Sequence, residues 1–400
     1  MASNFAVTKG SLKNKYFLMV CLVGFAYNFA INTVNSSFSL FVDYIGGSPG
    51  ITGTVSILFT ATAVVGRMVS SRTSDHIGRR FTMALGCFLY AACVWLSSSL
   101  ESVFLICALR ALQGFGFAAS NTGASAANVD TAPPDKLGLA SSLFYLSSSV
   151  GFIICGFIIE PFADAGQLPA LYKAIAVLLA GGGLVSMACT YEKVPGYERG
   201  AGDTEDTDSA EEYKGLYKYF EKRSLPAAIT AFSQCIGYSA IITFIMLFAS
   251  QNNIPNYGLF FTVGASIALV CNLFGSGLVE KRGVLSATVP CFTLSGVSLI
   301  AMGATGSPLL YFVSAAAFGV GFGLCFPALH REAMRGIPTS RRGAASSTIL
   351  ISNDLGIGLG AVLWGFVGSV AGLSVTFILA GAAYLVSAVL SVIFFKKGRK

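Results

Sequence analysis

Two charged side chains lie well away from the ends of long apolar stretches of this sequence, where a charge is costly. Asp354 lies ten residues after the start of the stretch 344–370, and Arg110 lies in the stretch 103–126. Because burial disfavours a charged carboxyl group, Asp354 is expected to bind a proton or to pair with a cation. Alternatively, Asp354 and its neighbour Asn353 only form hydrogen bonds between helices. Arg110 is a candidate functional residue on the same grounds, with a structural residue bonded to backbone carbonyls as the alternative.

Amide side chains in the first apolar stretch share one helical face. Asn28, Asn32 and Asn35 are spaced i, i+4 and i+7, which places them on one side of a helix. Amides are costly in apolar surroundings but are tolerated along a water-filled path. We therefore expect this face to line such a path, and interhelical hydrogen bonding is the alternative. The other residues predicted on this path are Gln113, Asn121, Gln234, Tyr238 and Asn353.

The elements that must position these residues are long apolar helices. Of 400 residues, 54% are hydrophobic and 11% are charged, whereas a soluble chain needs about twice that charge. About 20 apolar residues span the hydrocarbon core of a bilayer as a helix. The sequence contains twelve such stretches and therefore predicts an all-α membrane protein with twelve transmembrane helices. The predicted spans are 16–42, 51–71, 81–99, 103–126, 139–163, 169–190, 224–250, 256–279, 285–305, 308–330, 344–370 and 373–396.

A strongly charged segment divides the predicted helices into two groups of six. Between residues 191 and 223, 15 of the 33 positions are charged, which is typical of a solvated linker. The predicted domains are an N-terminal six-helix bundle (1–190), a cytoplasmic charged linker (191–223) and a C-terminal six-helix bundle (224–400). A passive tether is the simplest role for the linker, and a regulatory role is the alternative.

The distribution of lysine and arginine predicts the orientation of the chain. With an even number of helices both termini share one side, and every basic residue except Arg110 and Lys173 falls on that side. Positively charged loops stay in the cytoplasm, so both termini of this multi-pass protein of the inner or plasma membrane are predicted to be cytoplasmic. The net charge of +7 then reflects topology and affinity for anionic lipid, and it gives no indication of nucleic-acid binding.

The two groups of six helices share a repeat at a constant offset of 205 residues. The matched positions include Gly114 and Gly319, Gly116 and Gly321, Pro133 and Pro338, and Gly138 and Gly343. The same offset relates Asp75 to Glu280 and Gly78 to Gly283. One shared glycine would mean nothing in apolar helices, but a series at one offset predicts two pseudo-symmetric six-helix bundles.

The turn after the second predicted span reads Ser-Arg-Thr-Ser-Asp-His-Ile-Gly-Arg-Arg over residues 71–80. It resembles the pattern Gly-x-Leu-Ala-Asp-Arg-x-Gly-Arg-Arg of the major facilitator superfamily. The matching residues are Asp75, Gly78, Arg79 and Arg80, whereas Ser71, Thr73 and His76 depart from the pattern. The resemblance implies that Asp75 meets the start of the eleventh helix near Ala344 as a conformational latch, with Glu280 and Gly283 as the counterparts in the repeat. An ordinary loop carboxylate is the alternative.

Two further segments bear on the branch of the superfamily. Arg110-Ala-Leu-Gln113-Gly114 matches in full the family pattern Arg-x-x-Gln-Gly of the fourth helix. The fifth-helix pattern Gly-Pro-x-x-Gly-Gly, which marks drug and proton antiporters, survives only as Gly151-Phe-Ile-Ile-Cys155-Gly156. The first match favours the drug:proton antiporter branch, with Arg110 and Asp354 in ion coupling, and the degraded second pattern favours an importer.

The resemblance and the buried charges together predict a secondary active transporter that works by alternating access. Proton-coupled efflux of a small organic solute is the leading hypothesis, and import or facilitated diffusion of a small metabolite is the second. A membrane sensor or receptor with the same fold is the alternative from another class. The sequence offers no nucleophile with its base and only two histidines, His76 and His330, so we predict no enzyme, cofactor or metal site. The expected partners are the solute, protons or another coupling ion, and the lipid bilayer, and the protein is expected to act as a monomer.

Overall fold

Twelve α-helices make up most of the residues that the computed structural model describes, which are 14–100, 102–133, 137–194, 221–337 and 341–396. Helices α1 to α12 are Lys15–Tyr44, Pro49–His76, Arg79–Ser97, Val103–Thr131, Leu137–Asp164, Leu168–Ala188, Leu225–Gln251, Leu259–Arg282, Leu285–Thr305, Pro308–Met334, Arg342–Ala371 and Leu373–Phe395. Single 3₁₀ turns at Tyr191–Lys193 and Lys222–Ser224 flank the linker, most of which lies outside the described residues. The described residues contain no β-strand, and the predicted all-α fold with twelve helices is confirmed.

Proline marks the starts of several helices. Pro49, Pro169, Pro226 and Pro308 each lie in the first turn of a helix. Proline lacks the N–H group that the first turn leaves without an intrahelical partner, so it fits there without the loss of a hydrogen bond. These residues help to set where the apolar spans begin.

The surface of the helices is apolar. By length and composition, nine helices within the described residues can cross a membrane. Large apolar side chains point outward from them, including Phe104, which is 79% exposed, and Phe366, which is 64% exposed. A surface of this kind would aggregate in water, so it faces the hydrocarbon chains of lipid.

The chain gathers into two compact units that do not follow the two halves of the sequence. The first unit lies within residues 1–35 and 58–203, and the second lies within residues 36–57 and 204–400. The end of α1 and the start of α2 therefore belong with the helices of the C-terminal half. The predicted boundaries at residues 190 and 224 follow the sequence repeat and the charged linker, and they stay predictions.

In the first unit, α4 packs against α2 at a glycine. A Cβ atom added at Gly114 would collide with the backbone oxygen of Phe59 and with the hydroxyl of Thr62. The Thr62 hydroxyl also donates a 2.6 Å hydrogen bond to the backbone oxygen of Ala111. Only a glycine lets the two helix backbones approach this closely.

The second unit contains the same contact 205 residues later. A Cβ atom added at Gly319 in α10 would collide with the backbone oxygen of Gly264 and with Ile267 in α8. Glycine and both partner positions are thus shifted by one offset between the units. The repeat is therefore present in the packing of helix pairs as well as in the sequence, as the prediction of pseudo-symmetric bundles requires.

Two glycine turns connect corresponding helices. Gly78 links α2 to α3 with a φ of 121°, and Gly283 links α8 to α9 with a φ of 84°. These left-handed conformations favour glycine because a side chain would be strained there. Helix α2 continues to His76, beyond the predicted end at residue 71, because no helix-breaking residue precedes Gly78. Asp75 consequently lies in the last turn of a helix and not in the connecting turn.

In the second unit, the first turns of α2 cross the last turns of α11 at backbone contact. A Cβ atom added at Gly53 would collide with the backbone oxygen of Ala361. One added at Gly365 would lie 2.7 Å from the backbone oxygen of Pro49 and 2.9 Å from the Gly53 Cα. Two glycines therefore bring these helix ends together.

Candidate functional site

Arg110 lies at the centre of a buried polar cluster in the first unit. Arg110 is only 2% exposed. The two terminal nitrogens of its guanidinium donate hydrogen bonds to Gln113 Oε1 at 2.8 Å and to Asn35 Oδ1. Gln113 Nε2 donates in turn to the Ser97 hydroxyl at 3.0 Å. Arg110 and Gln113 are three residues apart in α4, so the motif spacing places them on one helical face.

Aromatic rings surround the other side of the guanidinium. The central carbon of that group lies 4.6 Å from the ring centroid of Phe59. Tyr90 and Tyr172 are fully buried and lie close enough to interact with Arg110 electrostatically. A cation above an aromatic face is stabilised by the ring quadrupole, and more so when water is excluded. One guanidinium thus joins side chains of α1, α2, α3, α4 and α6.

The amides predicted on the substrate path divide between different environments. Asn35 and Gln113 belong to the Arg110 cluster. Asn28 donates a 2.8 Å hydrogen bond to the backbone oxygen of Gly24 in its own helix. Asn32 is buried on α1, at the contact of that helix with α5. Asn121 on α4 donates a 3.2 Å hydrogen bond to the Tyr27 hydroxyl on α1.

Asp354 lies against α7 in the second unit. It is half-buried twelve residues after the start of α11, about 18 Å along the helix. Its carboxyl group is within electrostatic range of Cys235 on α7. The neighbouring Asn353 is buried and accepts a 3.5 Å hydrogen bond from the Cys235 thiol. A Cβ atom added at Gly356, two residues after Asp354, would lie 2.7 Å from the Cys235 Cβ, so this glycine brings the two helices together.

Gln234 and Tyr238 lie one turn apart on α7 and are both buried. The ring of Tyr238 stacks on two rings of α10. Its centroid lies 5.8 Å from that of Phe318, with an interplanar angle of 8°, and 5.6 Å from that of Phe322, with an angle of 27°. The second unit therefore carries aromatic rings on α10, whereas α4, its counterpart in the first unit, carries the polar Arg110 cluster.

Arg79, one of the predicted latch residues, anchors a polar network at the start of α3. Its guanidinium forms an ion pair with Asp130 and donates a 3.0 Å hydrogen bond to the backbone oxygen of Ala126. Its backbone N–H donates to Glu192 Oε1 at 2.8 Å. The Tyr191 hydroxyl donates to Asp130 Oδ2 at 3.2 Å. The network joins the start of α3, the end of α4 and the turn after α6.

The remaining latch residues are less fully defined. The Arg80 guanidinium lies 4.4 Å from the ring centroid of the adjacent Phe81. Gly78 and Gly283 form the turns described above. Asp75 and Glu280 lie in the last turns of α2 and α8, and their side chains are outside the described part of the structure. The contact between Asp75 and the start of α11 stays a prediction.

We expect Asp130→Asn to destabilise the first unit. The substitution keeps the shape of the side chain but removes the charge that neutralises the nearly buried Arg79 guanidinium. A lost charge partner in this setting costs about 2–3 kcal/mol. The apparent unfolding midpoint of the purified protein, followed by a thermal shift measurement, should fall by several degrees.

The matched control is Glu332→Gln. Glu332 pairs with Arg335 at 3.4 Å, but Arg335 is 69% exposed, so this pair is worth about 0.5 kcal/mol or less. Equal shifts in the two variants would contradict the role given to Asp130.

The end of the linker docks on the start of α11. Glu221 forms a 3.0 Å ion pair with Arg341, and its backbone N–H donates to the Thr348 hydroxyl at 2.9 Å. Both charged side chains are largely buried. The linker is therefore fixed to the second unit at its C-terminal end.

Several residues of these sites were not predicted from the sequence. Phe59, Tyr90, Ser97 and Tyr172 belong to the Arg110 cluster from three other helices, and no local spacing connects them to Arg110. Asp130 and Glu192 likewise meet Arg79 only in the fold. The aromatic residues of α10 are an exception, because their recurrence at every fourth residue is visible in the sequence. Within the described part of the chain, no group of three or more His, Cys, Asp or Glu residues can hold a metal ion.

The fold and these sites define a multi-pass α-helical membrane protein built from an internal repeat, with polar clusters inside its helix bundles. The sequence model of the Major Facilitator Superfamily matches residues 20–361 and 255–400. The chain therefore belongs to the major facilitator superfamily. It is a membrane transporter of this kind and not an enzyme, with a small-molecule substrate and a lipid environment.

Curated relatives agree with this assignment. An uncharacterised MFS-type transporter of Burkholderia pseudomallei (strain 1106a) is 25% identical over 368 residues, which cover 89% of this chain and 86% of the relative. An uncharacterised MFS-type transporter of Pseudomonas aeruginosa (strain LESB58) is 28% identical over 165 residues, or 41% of each chain. Neither description names a substrate.

Solved structures share the fold at low sequence identity. The nucleoside transporter NupG, as a mutant, superposes with a TM-score of 0.79 at 13% identity, covering 95% of this chain and 100% of NupG. A POT family transporter in complex with 5-aminolevulinic acid has a TM-score of 0.80 at 13% identity, with coverage of 98% and 99%. A bacterial homologue of the human lysosomal transporter Spinster, inward-facing and unoccupied, has a TM-score of 0.76 at 14% identity, with coverage of 96% of both chains.

Proposed function

We propose that this protein is a secondary active transporter that exports small, partly lipophilic organic solutes in exchange for protons. The observation that carries the proposal is Asp354, a half-buried carboxyl group against α7 in the middle of α11. When this group gains a proton it becomes neutral, and its polar contacts with α7 change. Protonation is thereby linked to the packing of two helices, which is what coupling requires.

The fourth-helix pattern supports the outward direction. In this pattern, Arg110 and Gln113 form one hydrogen-bonded cluster with Asn35 and Ser97, so both residues of the pattern act together inside the helix bundle. The proposed mechanism is alternating access with both termini in the cytoplasm, and the lysine and arginine distribution supports that orientation. The protein is proposed to act as a monomer in an inner or plasma membrane.

Import or facilitated diffusion of a metabolite is the second candidate, and α5 favours it. Phe152 stands where the antiporter pattern has proline, and the buried Cys155 stands where it has glycine. Gly151 remains because a Cβ atom there would lie 3.1 Å from the Phe29 Cα, so this glycine serves the packing of α5 on α1. Such a carrier would move its solute only down a concentration gradient.

A membrane sensor with the same fold is the candidate from another class. The docking of Glu221 on Arg341 and Thr348 favours it, because it connects the linker to α11. A sensor would bind a partner through the linker without moving a solute.

Solute flux into proteoliposomes under an imposed pH gradient tests the proposal. We expect the wild-type protein to accumulate a lipophilic solute against its gradient when a panel of drugs, chelators and amino acids is screened. Asp354→Asn should lower this proton-driven accumulation at least about tenfold, equivalent to ~1.4 kcal/mol, while the protein stays folded and inserted.

Asp43→Asn is the matched control, because Asp43 is an exposed carboxylate near the end of α1. This variant should behave like the wild type. Full proton-driven transport by Asp354→Asn would remove Asp354 from the mechanism. If no solute responds to the pH gradient, proton exchange is excluded, and partner binding without any flux would favour the sensor.

A further inference from the structure

A column of aromatic rings runs along one face of α10. Phe318, Phe322, Phe326 and His330 recur at every fourth residue, which places them on one side of the helix. Successive ring centroids are 5.7, 5.8 and 6.3 Å apart, with interplanar angles of 34°, 25° and 20°. At about 1.5 Å per residue, the column covers ~18 Å of the helix.

Tyr238 of α7 packs against the side of this column. Its ring is nearly parallel to Phe318 and stacks on Phe322 as well. Tyr238 and Phe318 are buried, whereas Phe322 and Phe326 are half-buried and so keep part of their rings uncovered. We call Tyr238, Phe318, Phe322 and Phe326 the aromatic face. The interplanar angles within it range from 8° to 34°, so a flat molecule can stack on a ring that is partly uncovered.

Gln234 adds a polar group beside the aromatic face. It lies one turn before Tyr238, so the two side chains share one face of α7. Gln234 is only 5% exposed. A hydrogen bond is stronger in such buried surroundings than in water, so a ligand that bonds to this amide gains affinity.

Helix packing alone does not explain these rings. In the repeat, Phe318, Phe322 and Phe326 correspond to Gln113, Phe117 and Asn121 on α4. Helices α4 and α10 use the same glycine contact with α2 and α8, yet α4 carries amides at two of these three positions. The glycine contact is therefore compatible with either amides or aromatic rings at these positions, and the rings of α10 can serve in ligand binding.

We propose that the aromatic face with Gln234 binds the planar aromatic part of the transported solute. The ring system stacks on Phe322 and its neighbours, and a polar substituent exchanges a hydrogen bond with the Gln234 amide. This inference rests on the proposed transport function, because it names the substrate class of the same protein.

Binding of two matched compounds by the full-length protein in lipid nanodiscs tests the inference. Naphthalene carboxamide is planar, whereas its fully saturated decalin analogue has the same polar group but no flat ring. Calorimetric titration should show that the wild type binds the planar amide about tenfold more tightly. Since the saturated compound is more hydrophobic, burial of apolar surface alone would favour it instead.

Variants locate this preference. Phe322→Leu should abolish the preference for the planar amide and Phe322→Trp should keep it, whereas Gln234→Leu should weaken the binding of both compounds. Phe366→Leu is the matched control, because Phe366 is an exposed ring on α11 outside the aromatic face. Equal affinity of the wild type for both compounds, no binding of either, or an unchanged preference in Phe322→Leu would overturn the inference.

Flux measurements separate this inference from the proposed function. Proton-driven transport of other solutes without a planar preference would overturn the inference and leave the transport function in place. Tight, Phe322-dependent binding of the planar amide with no flux of any solute would support the binding site and contradict the proposed transport function.

Discussion

Replacing Arg110 with alanine is expected to lower transport by about a hundredfold, equivalent to ~3 kcal/mol of activation free energy. The guanidinium holds Asn35 and Gln113 directly and Ser97 through Gln113. Without it, the amide oxygens of the buried Gln113 and the half-buried Asn35 lose their donor, which costs up to about 1–3 kcal/mol for each. Because the cluster joins five helices, their relative positions are no longer fixed, and conformational change is no longer transmitted between them.

Arg110→Lys separates charge from geometry. Lysine keeps the positive charge but is a point charge that cannot present the planar fork that reaches Asn35 and Gln113 together. We expect it to fold and insert well and to recover only part of the lost flux. Solute flux in proteoliposomes, with monodispersity checked by gel filtration, measures both variants.

Lys173→Ala is the control for Arg110. Lys173 is the other basic residue predicted on the same side of the membrane, but it is exposed and lies 6.0 Å from the ring centroid of Trp95. Its loss should leave flux unchanged. Wild-type flux in Arg110→Ala would refute a functional role for the cluster.

Joining α2 to α11 by a disulfide is expected to stop transport completely. A Cβ atom added at Gly50 would lie 3.7 Å from the Ser369 Cβ, within the range of about 3.5–4.5 Å found in disulfides. The double variant Gly50→Cys, Ser369→Cys should therefore oxidise readily. By the predicted orientation this contact is on the outer side, where alternating access requires it to open.

The oxidised double variant should show background flux, and treatment with dithiothreitol should restore it. Each single cysteine variant serves as a control, because the native cysteines are free and are buried or half-buried. Failure to cross-link would contradict the contact itself. Undiminished flux after complete cross-linking would mean that this contact stays closed throughout the cycle.

The twelve helices were predictable because each one is dictated by a local property. A run of about 20 apolar residues is sufficient to form a membrane-spanning helix, whatever its neighbours are. The spacing of Arg110 and Gln113 likewise placed both on one face of α4. Helix α2 ends at His76 and not at the predicted residue 71, because nothing in the polar residues from Ser71 to His76 breaks a helix.

Contacts between distant segments were beyond the reach of sequence patterns. The offset of 205 residues identifies similar positions in the two halves, but it does not indicate which surfaces touch. It therefore could not show that Gly53 packs on Gly365. The partners of Arg79 were missed for the same reason, because Asp130 and Glu192 come from different helices and match no spacing rule.

The paired glycines Gly114 and Gly319 also bear on how such a protein diversifies after gene duplication. At these positions any side chain would collide with a neighbouring backbone, so both copies keep the same residue. One residue away, the copies have diverged from Gln113 to Phe318 without loss of the helix contact. A duplicated scaffold of this kind can acquire a new specificity in one copy while the other preserves the ancestral one.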